Sequence, residues 1–101
     1  MTTARLLKTS TAGDVNALQM VNPNPTHTVQ ATVQGTGAVH AKVLIEDSSD
    51  NIAWNTVGTV TIDGTTTATD RFNYLSASEN VRATASELTG TGAVLTVSIS
   101  V

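Results

Sequence analysis

The sequence predicts an all-β fold: an antiparallel β-sandwich or jelly roll of about seven short strands, with an extended N-terminal arm. Three observations carry this. The chain has 101 residues, room for one domain. Its 19 threonines, 12 valines and 8 serines suit a pleated surface, because β-branched side chains crowd a helix. From residue 26 onward, apolar residues recur with a period of two between glycine-rich turn signals.

Residues 1–25 stand apart. They carry Arg5, Lys8 and Asp14, the opposite charge balance to the acidic remainder. They end in Asn22-Pro23-Asn24-Pro25, a rigid connector, since each proline pushes its predecessor towards extended geometry. Before it, Asp14 to Val21 reads as a strand or an extended arm, being short for a helix. The expected division is an arm and connector over 1–25 and a β-sandwich domain over 26–101.

In the body, Val29, Ala31 and Val33 alternate with Thr28, Gln30, Thr32 and Gln34. Gly35-Thr36-Gly37 reads as a turn, because glycine supplies positive φ without steric cost. Val39, Ala41, Val43 and Ile45 then alternate with His40, Lys42 and Glu46, which completes an expected β-hairpin. Asp47-Ser48-Ser49-Asp50-Asn51 is a polar loop. Val60 and Ile62 point inward on the next strand, and Gly58 marks a bulge or a close backbone approach. Asp63-Gly64 signals a turn, with Thr65 to Thr69 a loop feeding a strand near Asp70 to Tyr74. Val81, Ala83 and Ala85 alternate before Gly90-Thr91-Gly92, and Leu95, Val97, Ile99 and Val101 alternate after it. The expected core is Val29, Val33, Val39, Val43, Ile45, Val60, Ile62, Val81, Leu95, Val97 and Ile99.

Gly35-Thr36-Gly37-Ala38-Val39 recurs as Gly90-Thr91-Gly92-Ala93-Val94. The inward rows after the two turns are out of step by one residue. A one-residue slip reverses faces, so the second connection is expected to hold an extra or bulged residue.

Composition removes whole classes of function. The net charge of −3 offers no basic footprint for nucleic acid. Cysteine is absent, which excludes disulfides, a thiol nucleophile and thiolate metal sites. No apolar run approaches a membrane helix or a secretory signal. Neither Gly-Thr-Gly segment has the Lys-Ser/Thr ending of a phosphate loop, and no Gly-x-Ser-x-Gly elbow is present.

The remaining candidates have plain readings. His27 and His40 are expected to face solvent. In a hairpin centred on Thr36 they lie about 17 Å apart, so they share no metal. Asp47, Asp50 and Asn51 lack calcium-loop spacing and read as turn chemistry. Trp54 follows a polar loop and suits a plug between sheets. Phe72 and Tyr74 share one strand face. No catalytic residue, cofactor or metal is expected.

The run from Gly37 to Phe72 carries a resemblance. Its order is Ala38-Val39-x-Ala41-x-Val43-Leu44-Ile45-Glu46, a Ser/Asp/Asn loop, Trp54 through Ile62, Gly64-Thr65, then Thr69-Asp70-x-Phe72. Val81-Arg82-Ala83 and Gly90 through Val94 continue it. This resembles small β-sandwich structural proteins encoded among the virion genes of tailed bacteriophages. The resemblance covers roughly residues 29–101 and rests on strand-and-turn order rather than chemistry. It implies a non-enzymatic capsid decoration, or cement, protein that binds the major capsid protein and forms a homo-oligomer, without nucleic acid or membrane. It also implies a place on the capsid surface after synthesis in the host cytoplasm. The alternatives are a neck or tail component, or a small carbohydrate-binding module. The candidate interface residues are Arg5 and Lys8 on the arm, Leu44, which interrupts an outward polar row, and Leu88 and Val94, which flank the second Gly-Thr-Gly segment.

Overall fold

The computed structural model describes residues 3–20 and 25–101. Within them the chain is all-β, a single antiparallel sheet of five strands with no helix. The strands are β1 (Thr3–Thr9), β2 (Val15–Gln19), β3 (Thr26–Ser48), β4 (Asn55–Leu75) and β5 (Asn80–Ser100). The sheet order is β1-β5-β3-β4, with β2 also paired to β5.

The strand count differs from the expected seven because three strands are very long. Straight, the 23 residues of β3 would span about 76 Å, yet the longest extent of the molecule is 40 Å. The strands therefore bend back. The bend falls where the sequence signals turns. Gln34 pairs with Thr67 and Ala38 with Thr65, so Gly35-Thr36-Gly37 lies opposite Thr66. Thr36 pairs in turn with Thr91. Gly37, Thr66, Gly90 and Gly92 all have positive φ. A lone turn reverses its strand, whereas irregularities aligned on neighbouring strands kink the whole sheet and leave the ladder running on either side. The expected hairpin at Gly35-Thr36-Gly37, the turn at Asp63-Gly64 and the Thr65 to Thr69 loop are thus replaced by continuous strand.

The bend divides the sheet into two halves. The Thr-rich half holds β1, the start of β3 and the ends of β4 and β5. The His40 half holds β2, the end of β3 and the starts of β4 and β5. Their inner faces meet. The Phe72 ring, paired with Val29, lies over Gly58, paired with Ile45. A Cβ added at Gly58 would come within 2.6 Å of two ring carbons. One core results, and it contains all eleven expected residues, each at most 4% exposed.

Residues 3–19 are not a free arm. Antiparallel pairing to β5 runs from Thr3 to Thr9 and from Val15 to Gln19. A register shift between Arg5 and Leu7 turns both Leu6 and Leu7 into the core. Between the two strands the ladder is kept by Gly13 N–H to the Ala85 carbonyl and Ala85 N–H to the Asp14 carbonyl. β2 falls within Asp14 to Val21, read as a strand or an extended arm, whereas the alternation in β1 is too short and too broken by the bulge to read as strand. The connector Asn22-Pro23-Asn24 lies outside the described residues.

The second connection does hold an extra residue: Gln34 pairs with Val94 and Thr36 with Thr91, so Gly92 and Ala93 lie opposite Gly35 alone. A separate slip lies upstream, where Lys42 pairs with Glu87 and Val43 with Ala85, which leaves a further extra residue, Ser86. Its hydroxyl donates to the Lys42 carbonyl at 3.0 Å.

Two outcomes follow. Val43→Ala is expected to destabilise the domain by roughly 1–3 kcal/mol through lost burial and a cavity, read as a lower urea midpoint. Gly58→Ala is expected to cost roughly 1–3 kcal/mol by overpacking against the Phe72 ring. That cost should fall sharply in the Phe72→Ala background, a non-additivity a double-mutant cycle measures.

Candidate functional site

The inward rows of both halves form one buried apolar core, so the surface open to contact is the two outer faces and the rim. Residues directly opposite in an antiparallel pair share a face. In the Thr-rich half, Arg5 opposes Ser98, Lys8 opposes Thr96, Arg71 opposes Gln30, and Val94 opposes Gln34. Three of the five expected interface residues, Arg5, Lys8 and Val94, therefore share one outer face. Thr3, Thr28, Gln30, Thr32, Gln34, Thr96, Ser98 and Ser100 line a shallow depression across its centre. The side chains form cross-strand ladders: Thr32 to Thr69 at 3.0 Å, Thr28 to Asn73 at 2.8 Å, and Thr3 to Ser100 at 2.9 Å.

Leu44 lies on the other outer face, half-buried between Thr59 and Thr84. Leu88 is half-buried against the core, so it does not stand free as the sequence reading expects. The register slip at Ser86 moves it off the outward row.

On Leu44's face, three strands are tied by one histidine. His40 Nδ1 lies 2.5 Å from Asp63 Oδ1 on β4, and Nε2 lies 2.7 Å from Glu87 Oε1 on β5. Ionised carboxylates only accept, so both ring nitrogens donate and the imidazolium form is favoured. The hydrogen bond to Glu87, then that to Asp63, raises the His40 pKa above its ordinary value. Both nitrogens are thereby committed, and His40 activates no hydroxyl. Nearby, Arg82 Nε donates to Glu46 at 2.8 Å, and its guanidinium lies 4.4 Å from the centre of the Trp54 ring. Trp54 is half-buried there and is not the expected core plug. The cation–π contact with Arg82 holds it on the outside.

His27 is the second correction. It is fully buried and its ring stacks on Tyr74 with centroids 4.9 Å apart. Its parity matches Val29, Ala31 and Val33, a signal that extends the inward row back to it. Burial lowers its pKa, offset in part by the Pro25 backbone and the Asp47 charge. Burial likewise pushes Tyr74 up to about 12, with Asp47 adding to it. Asp47 accepts from the Ser76 hydroxyl at 2.5 Å. The polar loop beside it is turn chemistry: Asp50 Oδ1 accepts the Ile52 and Ala53 N–H groups at 2.8 and 2.9 Å. Those bonds hold the Asp50 carboxyl below its ordinary value. Among the described residues, no group of three or more His, Cys, Asp or Glu side chains is placed to hold a metal.

No family model and no curated protein matches this chain. Solved structures do share the fold. The crystal structure of PBSX exported protein XepA superposes with a TM-score of 0.56 at 18% identity, covering 97% of this chain and 36% of that one. A CBM4 structure superposes with a TM-score of 0.53 at 19% identity, covering 81% of this chain and 54% of that one. At these identities the likeness is one of fold, and the chain spans about a third to a half of the length of these neighbours.

The two histidines give opposite pH dependences. A raised folded pKa at His40 contributes stability that is present below about pH 6.5, the unfolded value, and is lost as pH rises through the folded value. A lowered folded pKa at His27 does the reverse, and stability is lost as pH falls below about 6.5. In His40→Gln the denaturation midpoint is expected to rise with pH between about 5 and 8 more steeply than in the wild type. Urea titrations at several pH values check this, and identical slopes in the two proteins would remove the clip from the account.

Proposed function

We propose that this protein is a non-enzymatic structural component of a tailed-phage virion, of the capsid decoration or cement type. It binds the major capsid protein as a homo-oligomer on the capsid surface, after synthesis in the host cytoplasm. In this reading the bent sheet is a two-layered β-sandwich. The observation that carries it is the filled interior. A sheet whose inner face is wholly used for its own packing acts through its outer faces, as a rigid contact module. The fold likeness to PBSX exported protein XepA supports the setting. A neck or tail position is the second reading within the same class, and copy number separates the two.

A cement protein stabilises a shell because its contacts exist only in the assembled state, which mass action then favours. Leu44 is the apolar centre of one outer face and is the expected anchor. Leu44→Asp should leave the monomer folded and reduce particle association. Raising salt to about one molar, where the screening length is roughly 3 Å, should leave the protein attached. Quantitative gel analysis and cryo-electron microscopy of purified particles test the position. Hundreds of copies per particle are expected for a cement protein, about a dozen for a neck component, and none if the virion reading is wrong.

A further inference from the structure

We propose that the outer face of the Thr-rich half is a binding surface for an acidic polysaccharide. This goes beyond shell attachment, which the preceding section assigns to the opposite face around Leu44.

The first ground is the chemistry of the face. Its centre, from Thr28 to Gln34 on β3 and from Thr96 to Ser100 on β5, presents only hydroxyls and amides outward. These groups both donate and accept, as sugar hydroxyls do. The face is a shallow depression on a rigid sheet, so its donors and acceptors are ordered before a ligand arrives.

The second ground is charge. Arg5, Lys8 and Arg71 share this face, all three are exposed, and none is in an ion pair among the described residues. No carboxylate lies on the outward row. At the rim, Asp70 lies beside Arg71 and Asp14 beside Arg5 and Lys8, so the three cations outnumber the two carboxylates around this face. The other half is different, because Glu46, Asp63 and Glu87 all lie on its outer face and are already paired. Free cations around an uncharged polar centre complement a chain of hydroxyls carrying spaced carboxylates.

The third ground decides between macromolecules. Protein interfaces centre on apolar and aromatic side chains, and here the outward apolar residues, Val94 and Leu75, stand only at the two ends of the face. Single-stranded nucleic acid is held by aromatic stacking, and this face has none, since Phe72 and Tyr74 point inward and Trp54 belongs to the other half. A polyhydroxylated anion fits what remains.

Affinity electrophoresis of the full-length protein tests the proposal, with polygalacturonate, dextran or double-stranded DNA cast in the gel. Retardation is expected with polygalacturonate and not with dextran or DNA. Arg5→Gln/Arg71→Gln and, separately, Gln30→Glu should each weaken that retardation roughly tenfold or more, as loss of charge-assisted hydrogen bonds does. Lys42→Gln on the opposite face should bind as the wild type does. Urea midpoints close to wild type confirm that the variants are folded. The assignment is overturned by no retardation in polygalacturonate, by equal retardation in dextran or DNA, or by face variants that bind normally. None of these results bears on copy number in a particle, so the virion reading stands or falls separately.

Discussion

A sheet with strands of about twenty residues has an apolar face too long to bury against anything but itself. The bend across Gly35-Thr36-Gly37, Thr66 and Gly90-Thr91-Gly92 solves this. Positive φ at Gly37, Thr66, Gly90 and Gly92 kinks three strands along one line, and pairing resumes on both sides. In β3 the inward parity is kept through the bend, with Val29, Ala31 and Val33 before it and Val39, Ala41, Val43 and Ile45 after it. A single face can thus close on itself. Everything else depends on this closure. It brings Phe72 onto Gly58, sets β1 and β2 along different stretches of β5, and leaves the two outer faces pointing away from each other.

Much of this was legible. Period-two alternation located the core residues because burial of one face leaves a parity that chain connectivity does not alter. The connectivity was not legible. A Gly-Thr-Gly segment between two alternating runs has the same local chemistry whether it reverses a strand or kinks it, and the difference lies in what neighbouring strands do at the same level. Thr66 shows the point, since nothing in a run of threonines marks the one with positive φ. β1 was hidden for another reason. Its bulge places Leu6 and Leu7 side by side in the core, which breaks the alternation that identifies a strand.

The outer faces were partly legible too. Arg5, Lys8 and Val94 were marked as surface contacts, and the register to β5 and β3 puts them together on one face. The outward position of His40 follows from alternation, but its carboxylates come from residues 23 and 47 positions away, which local pattern does not connect. The place of Trp54 depends on a distant partner in the same way. A large aromatic after a polar loop is normally covered by the core, and here Arg82, itself fixed by Glu46, supplies the cover from outside. His27 was available from parity, but its polarity outweighed its position.

The closure of the inner face also explains how the molecule avoids unwanted pairing. β4 is a long edge strand, a template for another chain unless it is blunted. Its devices are visible. Val57 is an extra residue opposite the Ile45 to Glu46 step, the bend breaks its length near Thr66, and Asp70 sits at the rim in the inward row, opposite Ala31. An inward charge on an edge disfavours a further strand, because an added partner would bury it. On the opposite side, β1 and β2 cover different stretches of β5, so that edge is split as well. With both edges interrupted and the inner face consumed, the two outer faces are the broad surfaces left open. Those faces differ in kind. One carries paired charges around Leu44, and the other carries hydroxyls and amides between free cations. Two faces of one sheet, separated by the core, thus present different chemistry in opposite directions.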